Sequence, residues 1–132
     1  MKAIVKLFQT DMPSSVGSNL IIPKEVAEKA IEEFRARLKN GELYGTFRHD
    51  SDSPATEVSH RINDLFMDSD GVVFMKLETL NTLDGQILEK IIKQDVTRLM
   101  PEMIGTMEEL KFKKVKEFHF TRNLYPPKSK ND

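Results

Sequence analysis

The 132-residue sequence contains no cysteine. That absence removes disulfides, thiolate zinc sites and cysteine nucleophiles together. It has no excess of either charge sign, since 20 Lys and Arg stand against 21 Asp and Glu, for a net charge of −1. Global attraction to nucleic acid is thereby excluded, although a local basic patch is not. No apolar run approaches the ~20 residues that cross a bilayer. The opening stretch, MKAIVKLFQTDMPSS, lacks the continuous apolar segment of a signal peptide. Repeats, low-complexity blocks, a GxxxxGK[ST] loop, a GxGxxG turn and HExxH spacing are all missing. What is present is 39% hydrophobic and 31% charged residues. Those proportions predict one soluble globular domain from a non-secreted context and do not name an activity.

Hydrophobic periodicity divides the chain into strands and two helices. Lys2 to Gln9 alternates, with Ala3, Val5 and Leu7 on one face and Ile4 and Phe8 on the other. Residues 10–21 mix Pro, Gly, Ser and Asn and read as a loop. Val26, Ala30, Phe34 and Leu38 recur every four residues and predict a helix from Pro23 to Asn40. Alternation resumes over Leu43 to His49, followed by the polar loop DSDSPAT. Val58 to Met67 and Val72 to Leu80 flank the turn signal DSDG (Asp68 to Gly71), which predicts a hairpin. A second helix is expected from Leu83 to Gln94, capped by Thr82 or Asn81. Residues 96–110 are ambiguous, and a last strand is expected from Phe112 to Thr121. The order predicts an α+β domain: a mostly antiparallel sheet or small β-barrel with two packed helices. We assign residues 1–122 to the folded core and 123–132 to a C-terminal tail.

Several residues carry chemistry worth weighing. His49, in RHDSDS after a strand, is either a general base or a surface histidine beside acids. Ser59 and His60 are chain neighbours, which strand alternation places on opposite faces, so they are expected not to bond as a nucleophile–base pair. His60 shares its face with Val58 and Ile62 and reads as a packed structural histidine; His119 reads as solvent-facing. The DSDG turn opens like a calcium loop, but Thr79 stands where the bidentate acid is required, so no metal is expected. Lys111, Lys113, Lys114 and Lys116 form the one basic run and interleave with Phe112 and Val115. That pattern fits single-stranded nucleic acid, and it equally fits a solvated edge strand protected by lysines. Met100, Met103 and Met107 lie three to four apart, as core filler or as an adaptable contact surface.

Taken in order, four segments resemble the prohead maturation proteases of tailed bacteriophages of the myovirus type. SNLIIPKEVAEKAIEEF is similar to the family's N-x-L-Y-P stretch and first helix, and YGTFRHD to its G-E-L-x-H-P element. EVSHRINDLFMDSDGVVFMKLETLNT resembles the strand pair that follows, and LDGQILEKII the helix before the nucleophile. The resemblance covers about residues 18–106 and implies a fold like the herpesvirus capsid proteases. It also implies a general-base role for His49. The family then reads roughly G-V-S-S-R-G-x-G, where this chain has RLMPEMIGT. Aligned on Gly105, Met100 and Pro101 stand where the serines belong, and no serine occurs between Ser69 and Ser129. Thioether and pyrrolidine groups cannot attack a carbonyl, and Thr97 and Thr106 are the nearest hydroxyls. The resemblance therefore implies a non-catalytic phage structural or assembly protein that needs no cofactor. Its partners would be other virion proteins, the major capsid protein among them, or a second copy. Its place would be the virion or procapsid, assembled in the host cytoplasm. An active serine/threonine-type protease and a nucleic-acid-binding regulatory module on Lys111 to Lys116 are the alternatives.

Overall fold

The computed structural model describes residues 1–12, 20–46, 58–94, 99–107 and 113–125, with backbone only at 20, 100, 102–107, 113, 114 and 125. In chain order the elements are β1 (Lys2–Gln9), β2 (Leu20–Ile21), α1 (Lys24–Lys39), β3 (Leu43–Thr46) and β4 (Val58–Met67). Then come β5 (Val72–Thr79), α2 (Leu83–Lys93), β6 (Met100–Met107) and β7 (Lys113–Tyr125). One sheet is antiparallel in the order β1-β5-β4-β3; the other runs β2-β7-β6. β3 lies against β7 and β1 touches β6, so the edges of the two sheets approach each other in the manner of a barrel. The fold is α+β, as the element order predicts.

Helix α1 forms where the four-residue apolar stripe predicts it, and it buries Ala27, Ala30, Ile31 and Phe34. Its start has no cap from its own side chains; instead the Asp11 carboxylate accepts the Lys24 N–H at 2.9 Å. In α2 the Thr82 hydroxyl accepts the Gly85 N–H at 2.9 Å and donates to the Val58 carbonyl at 2.7 Å. One side chain thus caps the helix and ties it to β4. The β4–β5 hairpin closes on Asp68, whose carboxylate accepts the Asp70 and Val72 N–H groups at 2.9 and 3.0 Å. Gly71 takes φ 79°, and a Cβ there would lie 2.5 Å from the Thr10 hydroxyl. That hydroxyl donates to the Gly71 carbonyl at 2.7 Å and locks the end of β1 to the turn.

Three expectations need correction. Phe8 is buried with Leu7 rather than opposite it, because a register shift between Lys6 and Phe8 breaks the alternation. Phe8 then meets Phe118 edge-on and stacks on Phe120, which in turn meets Phe34 of α1. The stretch 10–21 is not all loop, since Leu20 and Ile21 pair in parallel with Lys113 and Lys114. Residues 123–125, expected in the tail, belong to the fold, because β7 continues through Tyr125 and Leu124 is fully buried. The ambiguous stretch resolves into β6, so the methionine spacing belongs to a strand. The polar loop DSDSPAT falls outside the described residues.

Candidate functional site

The end of β3, the end of β7 and the start of β6 meet at one place. The Asn123 side-chain oxygen accepts the backbone N–H and the hydroxyl of Thr46 at 3.0 and 2.9 Å. The next two residues of β7, Leu124 and Tyr125, pair with Pro101 and Met100 of β6. Thr46 is the last described residue of β3, and Met100 and Pro101 open β6 at the same junction. His49, Thr97 and Lys111 lie outside the described residues. Thr106 pairs with Glu117, six positions along β7 from Asn123, or roughly 20 Å of strand. Pro101 is buried, and Pro at a strand's first residues forfeits little of the ladder.

Directly behind this junction lies a buried polar cluster. His60 and Ser59 are both 0% exposed. His60 Nε2 lies 3.0 Å from the Arg122 carbonyl and Nδ1 lies 2.8 Å from the Ser59 hydroxyl. A carbonyl only accepts, so Nε2 carries the proton and Nδ1 accepts from Ser59. Burial pushes the imidazole down to about 4 from its ordinary 6.5, partly opposed by the Arg122 carbonyl. Gly45 makes the contact geometrically possible: a Cβ there would sit 1.7 Å from the Arg122 oxygen and 2.5 Å from His60 Nε2.

The Ser59–His60 hydrogen bond overturns the alternation argument. Gly45 pairs with His60 and Thr46 with Val58, which leaves Ser59 as the extra residue of a bulge. A bulge turns its extra side chain away from the regular pleat, so neighbours can meet. No spacing in the sequence marks it, because the bulge is set by the register of β3 against β4. Chemically the pair is poorly suited to attack. Neither side chain reaches solvent, and a base at about 4 takes up a hydroxyl proton weakly. His60 is packed in the interior with Ile62, but the expected shared face with Val58 is lost, because the bulge leaves Val58 39% exposed.

The remaining sequence candidates do not join this cluster. The backbones of Lys113 and Lys114 pair in parallel with Leu20 and Ile21 of β2, beyond the last described β6–β7 pair, Met107 with Val115. Lys116 is exposed. Met103 and Met107 pair with Phe120 and Val115 across the β6–β7 ladder. His119 faces solvent as expected, and its Nδ1 meets a Glu33 carboxylate oxygen of α1 at 2.7 Å. No group of three metal-ligating side chains occurs among the described residues.

This arrangement of sheets and helices defines a capsid-protease-like fold. Among solved structures, the chain is similar to the bacteriophage T4 capsid assembly protease, gp21. The TM-score is 0.66 at 14% identity, covering 94% of this chain and 80% of that one. No family model and no curated protein matches the chain.

Proposed function

We propose that this protein is a non-catalytic bacteriophage structural or assembly protein that acts by binding other virion proteins. The observation that carries the reading is the start of β6. Met100 and Pro101 stand at the junction of β3, β7 and β6, and no hydroxyl occurs from Leu99 to Gly105. Without a nucleophile a retained His49 has nothing to activate. The buried Ser59–His60 pair offers no substitute, because substrate cannot reach it. The fold likeness to a capsid assembly protease supports a role in the procapsid or virion, as decoration, assembly or connector protein. No helix among the described residues is long and apolar enough to cross a membrane. The partners on this reading are the major capsid protein or another phage structural protein.

The test combines cleavage and binding. Purified protein is incubated with the capsid and scaffold proteins encoded beside it, then sedimented with assembled shells. Co-sedimentation without cleavage is expected, and His49→Ala changes neither. Cleavage that His49→Ala abolishes, and that Thr97→Ala or Thr106→Ala also removes, would establish the serine/threonine-type protease instead.

A further inference from the structure

The outward face of β1, β5 and β4 forms a regular grid of side chains. Lys6, Phe74 and Phe66 stand in one cross-strand row. Ile4, Lys76 and Asp64 form the next, and Lys2, Glu78 and Arg61 the third. The opposite face of these strands carries the buried Leu65, Met75 and Leu77. Apolar side chains nevertheless occupy the solvent face: Ile4 is 60% exposed, and Phe66 and Phe74 are partly exposed. The two rings stack at 5.4 Å, with Lys76 Nζ 5.6 Å from the Phe66 centroid. They form a stiff aromatic plate rather than two loose side chains.

Charge around the plate is one-sided. Asp64 is held by Arg35 of α1 at 3.0 Å, and Arg61 by Glu42 at 3.2 Å. Among the described residues Lys2, Lys6 and Lys76 make no close ion pair, although Lys76 also acts on the neighbouring Asp64 carboxyl, and Glu78 is the remaining acid of the grid. The surplus is positive on a chain whose net charge is −1. An aromatic and aliphatic centre with charge at its rim is the make-up of a protein-docking surface.

We propose that this face docks an acidic segment of a partner protein, with apolar side chains set against Ile4, Phe66 and Phe74. Carboxylates of that segment meet Lys2, Lys6 and Lys76. A continuous phosphate backbone fits less well, because Glu78 and Asp64 lie within the same grid. The proposal concerns the surface and stands independently of the virion role.

The probe is a synthetic peptide of about ten residues alternating Glu with Leu and Phe, titrated into the 15N-labelled full chain. A matching peptide with Lys for Glu is the control. The acidic peptide is expected to shift the Ile4, Phe66 and Phe74 amides saturably, and more weakly as salt screens the contact. Reversing two exposed charges, Lys6→Glu with Lys76→Glu, is expected to weaken binding about tenfold. The absence of saturable shifts overturns the proposal, as do shifts confined to other elements or affinity unchanged by the reversal. Tighter binding of a single-stranded oligonucleotide at the same amides would reassign the face. Dimerisation abolished by Ile4→Glu would assign it to a second copy.

Discussion

The Arg122 carbonyl of β7 reaches across Gly45 of β3 to lie 3.0 Å from His60 Nε2 on β4. One part-buried hydrogen bond thus joins β7 to β4, with the backbone of β3 packed against it at Gly45. The absence of a side chain at Gly45 is its precondition. Gly45→Ala places a Cβ within 1.7 Å of that oxygen, which no side-chain rotation relieves. We expect a loss of more than about 3 kcal/mol, or failure to accumulate folded protein. Urea unfolding and soluble yield read it; a Tm within a few degrees of the parent would show that the strands part easily.

Acid should weaken the fold through His60. The native imidazole titrates at about 4, while the unfolded one titrates near 6.5. Between those values the unfolded chain binds more protons, so stability rises with pH across the window. It is complete above about pH 6.5 and lost as pH falls toward 4, by roughly 3 kcal/mol in total. To isolate the imidazole, the measurement is the difference between parent and His60→Gln in urea unfolding at pH 7 and pH 4.5. The parent should lose more stability than the variant; equal slopes would remove His60 from the acid response.

Asn123 holds the end of β3 through a single oxygen with two donors. Asn123→Ala leaves the Thr46 N–H and hydroxyl without that acceptor, at a cost of about 1–3 kcal/mol. Asn123→Asp keeps an acceptor there. Hydrogen exchange at the Thr46 amide is expected to accelerate in the first variant and to stay slow in the second. Acceleration in neither would mean that other contacts hold the strand end.

Two neighbours on α1 should differ sharply. Phe34 is 1% exposed and packs on Phe120, so Phe34→Ala should cost about 3–5 kcal/mol. Arg35 pairs with Asp64 by two hydrogen bonds of 3.0 and 3.1 Å, but both lie toward solvent. Burial raises the Asp64 carboxyl, and Arg35, the Leu65 N–H and Lys76 together outweigh it, so the group sits below its ordinary range. Water discounts that pairing, and Arg35→Ala should cost under about 1 kcal/mol. Chemical denaturation separates the two, and comparable losses would reverse the ranking of core over ion pair.

Both helices and the β4–β5 hairpin were legible in the sequence because their signals are local. A four-residue stripe or a DSDG turn needs no knowledge of what lies across the fold. Bulges were not legible. At Phe8 and at Ser59 the alternation breaks because a partner strand sets the register, and no partner is visible in the sequence. β2 was hidden for the same reason, since its two residues become a strand only by pairing with Lys113 and Lys114. The sequence alone shows that no hydroxyl occurs from Leu99 to Gly105; the pairing of Met100 and Pro101 with Tyr125 and Leu124 required the structure. The buried Ser59–His60 contact required the register of β3 against β4.

The parallel pairing of Leu20 and Ile21 with Lys113 and Lys114 also governs how the chain acquires its shape. β7 supplies contacts to α1, β2, β3 and β6, and the first three of these precede it by many tens of residues. Long-range closures of this kind slow folding, because chain entropy is lost before any contact is gained. During synthesis β1, β4 and β5 can associate early, while the second sheet waits for residues 113–125 to emerge. Until then Phe8 and Phe34 lack the Phe118 and Phe120 rings they meet in the folded chain, an interval in which exposed apolar surface invites aggregation or chaperone binding.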